Sequence, residues 1–343
     1  MVASCAPWWL PGGHAQTIWA SKGARDGLKQ APAWQRERIT TADQDFIDID
    51  HLPAADPAAP LLVLFHGLEG SRHSHYARAM AAWAQTHRWH LALPHFRGCS
   101  GELNLAPRAY HSGDHEDIDV LIRHLVGAHR AQGGQQVHAV GISLGGNALL
   151  RYLGEHGTGA RHLSAAATVS APLDMRAGGA ALSRGFNMVY TRMFLRTLKE
   201  KASAKLDQHP GLYDRAAMLA SRNLSEFDNL VTAPLHGYRD VLDYWTRASS
   251  KPILRDVRVP ALVLNARNDP FLPGQHLPGP ADVSPDVVLD QPQHGGHVGF
   301  LLRHDGGLRH MTGRIDWMPA RVLRFFDDVL GRQAQAGGLD SHG

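Results

Sequence analysis

Gly141-Ile142-Ser143-Leu144-Gly145 is a G-x-S-x-G pentapeptide, and a serine placed so suits nucleophilic attack on an acyl carbon. The bare pattern is weak evidence in a chain with 35 glycines. Its setting is what strengthens it. Val137–Ile142 reads as a strand and residues 145–154 as a helix, so Ser143 falls on the turn between them. That turn is so tight that side chains two residues either side of the serine would collide, and Gly141 and Gly145 remove them. A serine hydroxyl does not ionise at neutral pH, so a base must take its proton, and an acid must orient that base.

Asp269 follows the strand-like run at residues 261–265, where an acid at the carboxyl end of a strand should lie. His297 comes next, in the glycine-rich Gly295-Gly296-His297-Val298-Gly299-Phe300, giving the chain order serine, acid, histidine. His294 competes for the role of base, and Asp256, Asp282, Asp286 and Asp290 for that of acid; position relative to the strands favours Asp269 and His297. The oxyanion formed on attack needs preorganised donors. The Leu144 N–H, at the positive end of a helix, is one candidate. The Leu68 N–H, in His66-Gly67-Leu68-Glu69-Gly70, is the other, and His66 and Gly67 are expected to lie against the substrate. No G-x-G-x-x-G or Walker-type loop joins a strand to a helix, so no nucleotide cofactor is expected. His111, Asp114, His115 and Glu116 crowd a helix start without a second ligand pair, which favours capping over metal binding.

These residues need a rigid frame. Residues 36–49 read as an edge hairpin around Asp43 and Gln44, and Leu61–Phe65 as a strand buried on both faces. Helix at 73–86, strand at 90–93, helix at 114–129, strand at 137–142, helix at 145–154 and strand at 163–169 then alternate. That rhythm predicts a doubly wound α/β fold with a mostly parallel sheet. Residues 172–252 carry no strand-like run and read as a helical cap insertion, with Phe186, Met188, Met193 and Phe194 expected to roof the site and hold an acyl chain. Strands resume at 261–265 and 287–289, and a last helix is expected at 319–330. The expected organisation is an N-terminal arm at 1–35, a core at 36–171 and 253–331, and a flexible tail at 332–343.

Composition excludes other classes. The 343 residues include 35 Lys+Arg and 32 Asp+Glu, and 43% are hydrophobic, enough to bury a large core rather than remain disordered. No block of five or six basic residues appears, so nucleic acid is not an expected partner. Two cysteines cannot build a disulfide framework and fit a reducing compartment. No apolar run approaches the ~20 residues of a membrane span, and no signal peptide is read, so a cytoplasmic chain without stable membrane insertion is expected. The 23 histidines are scattered through apparent loops and read as surface residues.

Further segments point the same way: His14-Ala15-Gln16-Thr17, His66-Gly67-Leu68-Glu69-Gly70-Ser71, Phe96-Arg97-Gly98-Cys99-Ser100-Gly101-Glu102 and Tyr110-His111-Ser112-Gly113-Asp114. With Gly141 to Asn147, Glu226-Phe227-Asp228, Asn268-Asp269-Pro270-Phe271 and Gly295 to Phe300, they resemble the α/β-hydrolase superfamily, in its YheT-like (abhydrolase-4) esterase and lipase branch. The resemblance runs in order through most of residues 14–302. It implies an α/β-hydrolase fold, with Ser143 as nucleophile, Asp269 as acid and His297 as base. It also implies hydrolysis of short- to medium-chain carboxylic esters or acylglycerols. An acyl-enzyme resolved by an alcohol instead of water, an acyltransferase, is the alternative that the same chemistry allows. Eukaryotic members of the branch usually carry an N-terminal membrane anchor that is not read here, and Arg72-His73-Ser74-His75 is a local variation.

Overall fold

Unbroken apolar runs are stable as strands only where both faces are covered. In the computed structural model, which describes residues 6–24, 26–28, 30–301 and 314–339, this holds for the central strands. The strands are β1 (Gln35–Thr40), β2 (Phe46–Leu52), β3 (Leu61–Phe65), β4 (His90–Pro94), β5 (Val137–Ile142), β6 (Ala165–Val169), β7 (Ala261–Leu264) and β8 (Val287–Asp290). They form one sheet in the order β1-β2-β4-β3-β5-β6-β7-β8. β1 and β2 are antiparallel to their neighbours, and every pairing from β4 to β8 is parallel.

Helices cover both faces. They are α1 (Gly12–Lys22), α2 (His75–His87), α3 (His115–Ala131), α4 (Leu144–His156), α5 (Met175–Leu182), α6 (Asn187–Gln208), α7 (Arg215–Ala220), α8 (Leu224–Phe227), α9 (Ala233–Leu235), α10 (Val241–Ala248) and α11 (Trp317–Leu339). Successive side chains of a strand point to opposite faces. In β3, Leu61, Val63 and Phe65 pack with α3 and α4, while Leu62 and Leu64 pack with α2 and α11. Between β6 and β7 the chain runs through α5 to α10 without a strand. Leu195, Leu206, Met218, Phe227 and Val231 give that stretch a small apolar cluster of its own.

Several expectations need correction. α1 is helical within the arm, and its weak apolar patterning hid it. α11 continues to Leu339, past the point where a flexible tail is expected, because Arg332, Gln333, Ala334, Gln335 and Ala336 are good helix formers; residues 340–343 lie outside those described. The histidines are not confined to the surface, since His66, His95, His111, His129 and His138 are buried. Asp114 precedes α3 but does not cap it with its side chain. Its Oδ1 accepts instead from Arg108 at 2.8 Å. Among the described residues no helix is long and apolar enough to cross a membrane.

The β1–β2 hairpin carries acids that an ordinary sheet could not bury. Asp45, Asp48 and Asp50 are each 1% exposed or less, and each meets a cation. Arg36 bonds Asp50 and Arg38 bonds Asp48. Arg97, itself buried, reaches Asp45 at 2.7 Å and Asp43 at 2.9 Å, and holds Asp117 of α3 through two bonds of 2.7 and 2.8 Å. Burial works to raise the Asp45 carboxyl, but bonds from Asn104, the Leu105 and Phe46 amides and Arg97 outweigh it and hold it at about 2. A carboxyl depressed below its unfolded value of about 3.9 stabilises the fold fully above that value, and the contribution is lost as pH falls through about 2. Arg97→Met is therefore expected to cost about 3–5 kcal/mol at pH 7, read from the urea midpoint, and distinctly less at pH 3.

Candidate active site

The turn from β5 to α4 presents Ser143 at φ 51° and ψ −119°. An L-residue adopts such a conformation only where its surroundings enforce it. A Cβ on Gly141 would lie 2.5 Å from the Gly145 carbonyl oxygen, and one on Gly145 would lie 2.5 Å from the His66 carbonyl oxygen. The two glycines thus clear different neighbours: Gly141 admits the turn itself, and Gly145 admits the loop after β3. The Ser143 N–H donates to the Val169 carbonyl at 2.8 Å, tying the turn to β6.

The structure brings the three sequence candidates together. Ser143 Oγ lies 2.9 Å from His297 Nε2, and His297 Nδ1 lies 2.9 and 3.2 Å from the two carboxyl oxygens of Asp269. Asp269 is buried, and its Oδ1 also accepts the Phe271 N–H at 2.8 Å. The Phe271 ring stacks on the imidazole with centroids 4.1 Å apart, which limits its rotation. Ser143 Oγ–H can donate to Nε2 while Nδ1–H donates to the carboxylate, the geometry of a nucleophile with an oriented base.

Residues that sequence reasoning did not assign hold this relay in place. Gln16, 1% exposed, accepts the Gly295 N–H at 2.9 Å and the Asn268 amide at 3.0 Å, and donates to the Leu10 carbonyl at 3.1 Å. Thr17 Oγ1 accepts the His297 N–H at 2.8 Å and donates to the Gly13 carbonyl at 2.7 Å. Ser170 Oγ accepts the Val298 N–H at 2.9 Å, and Ser170 and Val298 both have positive φ, at 52° and 56°. For a β-branched residue such as Val298 that is an outlier the surroundings must impose. His75, pushed down to about 4 by burial, is neutral at pH 7 and donates from Nε2 to the Val298 carbonyl at 3.1 Å. The segment His14-Ala15-Gln16-Thr17 was visible in the sequence, but its contact with the Asp269 and His297 loops is tertiary.

The loop after β3 is held as firmly. Leu68 and Leu144 line the same cavity as Ser143 and His297. The Leu144 N–H opens α4, where no intrahelical acceptor exists for it. Tyr76 OH accepts the Gly67 N–H at 2.9 Å and Tyr110 OH accepts the Glu69 N–H at 2.8 Å, which fixes the peptides on either side of the one that carries the Leu68 N–H. Glu69 itself sits at φ 55°. His66, expected against the substrate, is fully buried beneath this loop. Burial pushes it down to about 3, and the neutral ring donates from Nδ1 to the Gly67 carbonyl and accepts the Phe96 N–H at Nε2. Gly67 packs against the nucleophile instead of lining the cavity; a Cβ there would lie 3.1 Å from the Ser143 Cβ.

The cavity wall is largely apolar, with Met175, Leu182, Phe194, Leu198, Phe227, Trp245 and Phe271. Of the four residues expected to roof it, Phe194 does so. Phe186 and Met193, 51% and 57% exposed, face outward, and Met188 is also outside the lining. Phe194 and Leu198 are one turn apart on the inner face of α6, whereas Val189 and Met193 share the outer one. Phe186 packs on His14 of the arm. Among the described residues no group of three or more His, Cys, Asp or Glu is arranged to hold a metal.

The sheet order, the turn at Ser143 and the relay behind it define a hydrolytic enzyme, and the chain belongs to the α/β-hydrolase fold family, whose model matches residues 60–303. Within it, the chain is 40% identical over 313 residues to "Putative esterase YheT" of Escherichia coli (strain K12), covering 90% of this chain and 88% of that one. It is 32% identical over 298 residues to "Phospholipase ABHD3" of Mus musculus, covering 82% of this chain and 71% of that one. The solved α/β hydrolase GrgF from Penicillium sp. sh18 shares the fold, with a TM-score of 0.56 at 15% identity, over 87% of this chain and 99% of that one. If the arm braces the His297 loop, Gln16→Leu leaves the Gly295 N–H unsatisfied, and denaturant titration should show a loss of about 1–3 kcal/mol.

Proposed function

We propose that the chain is a serine carboxylesterase or lipase that hydrolyses short- to medium-chain carboxylic esters, monoacylglycerols among them, through an acyl-enzyme. The reading rests on one observation: the hydrogen-bonded series Ser143, His297, Asp269 opening into an apolar cavity. His297 takes the Ser143 proton as Oγ attacks the ester carbonyl carbon. The oxyanion then accepts from the Leu68 and Leu144 N–H groups, and a donor of this kind supports about 2.7–4 kcal/mol of transition-state stabilisation. His297 returns its proton to the leaving alcohol, and the acyl group remains on Ser143. Water, deprotonated by His297 in its turn, resolves the acyl-enzyme, while Asp269 stabilises the imidazolium and holds its tautomer throughout.

Ser143→Ala is expected to lower kcat on p-nitrophenyl butyrate by about 10⁴- to 10⁶-fold and to abolish labelling by a fluorophosphonate probe. Retention of full turnover by this variant would end the acyl-enzyme reading. Asp269→Asn should lower kcat by about 10⁴-fold with the fold intact, because the amide cannot support the required tautomer. With dilute alcohol added, hydrolysis is expected to dominate; ester formation outrunning it would assign the chain as an acyltransferase.

A further inference from the structure

The proposed reaction leaves one carboxyl in the same cavity without a task. Asp228, from the segment Glu226-Phe227-Asp228, opens a π-helical turn, Asp228–Thr232, between α8 and α9. Such turns are rare and occur often at functional sites. Asp228 lines the cavity among Phe194, Leu198, Leu224, Phe227 and Trp245. Its Oδ2 accepts the Trp245 indole N–H at 2.8 Å, and its Oδ1 accepts the Thr232 hydroxyl at 2.7 Å. A carboxylate has about four acceptor positions, so these two donors leave half of them unused.

Burial pushes the group up to about 6; the Thr232 and Trp245 bonds pull the other way, and no cation contributes. Were Asp228 only a tie between helices, a neutral amide or hydroxyl would hold the indole without desolvating a charge. An aliphatic chain laid against this carboxyl would strip its water and leave acceptors unpaired, whereas a ligand hydroxyl would satisfy one of them. A cationic group would have to be desolvated as well, against a wall of aromatic and aliphatic side chains, which disfavours it.

Resting on the ester-hydrolase reading above, we infer that Asp228 is a specificity-determining acceptor for a hydroxyl group carried by the ester away from its scissile carbonyl. The cavity thereby selects hydroxylated esters over purely aliphatic ones of the same shape. The hydroxyl can belong to the acyl chain or to the alcohol, and two pairs of substrates separate these. The first is p-nitrophenyl heptanoate against the p-nitrophenyl ester of hexanoic acid bearing a terminal hydroxyl. The second is pentyl butyrate against the butyrate monoester of butanediol.

The intact enzyme should favour the hydroxylated member of one pair by about 10- to 100-fold in kcat/KM, the worth of a charged hydrogen bond. Asp228→Asn, nearly isosteric and still able to accept from Trp245, should shrink that ratio several-fold. Asp228→Leu should reverse it, and where that variant fails to fold the Asn variant alone decides. A wild-type ratio near one in both pairs, or a ratio unmoved by Asp228→Asn, overturns the assignment of Asp228. A wild type inactive on all four esters overturns the ester-hydrolase reading itself, and the assignment with it.

Discussion

The whole arrangement depends on a backbone conformation that polypeptide avoids. Ser143 is held at positive φ between a buried strand and the first turn of a helix, with Gly141 and Gly145 providing the clearance. An unsupported residue there would relax at a gain of about 1–3 kcal/mol. It cannot relax, because its N–H is bonded to β6, all of β5 is buried, and so is the start of α4 from Leu144 to Leu150. The same device recurs around the site, with Glu69, Ser170 and Val298 also at positive φ. Each is an immediate neighbour of a group proposed to act: Leu68, the β6 terminus that receives the turn, and His297. Among the described non-glycine residues, positive φ occurs elsewhere only at Gln44, in the β1–β2 turn, and at Arg88, after α2.

That strain is sustained by parts of the chain remote in sequence. Gln16 and Thr17 bond to residues 295 and 297 across 279 and 280 positions, so the N-terminal arm is part of the site rather than an appendage. The acidic β1–β2 hairpin performs a comparable service at the other edge of the sheet. Its carboxylates are neutralised by Arg36, Arg38 and Arg97, and Arg97 joins the hairpin to α3 through Asp117. Histidine has a structural part here as well. His66 and His75, both neutral through burial, orient the loops that carry Leu68 and His297.

The scaffold does not by itself choose a substrate, since folds of this kind host many chemistries. Choice lies in the walls contributed between β6 and β7. There α5, α6, α8 and α10 bring apolar side chains to the mouth of the site, along with one carboxyl that a purely aliphatic ligand cannot satisfy. The inward stripe of α6 differs by a single residue from its outward one, and that separates Phe194 in the cavity from Met193 in solvent.

Local sequence determined much of this protein. Unbroken apolar runs marked the central strands, because only strands covered on both faces tolerate them. Alternation with helical periods implied the doubly wound sheet, and glycines around Ser143 implied the elbow. Asp269 and His297 were legible from their places after strands, since in such a sheet loops at the carboxyl ends converge. What local pattern could not decide was which distant groups meet. Gln16 and Thr17 beside His297, His66 beneath its loop, the outward turn of Phe186 and Met193, and Asp228 beside Trp245 all depend on how elements dock. Docking is decided by burial and hydrogen-bond satisfaction summed over the folded chain, quantities that no short stretch of residues contains.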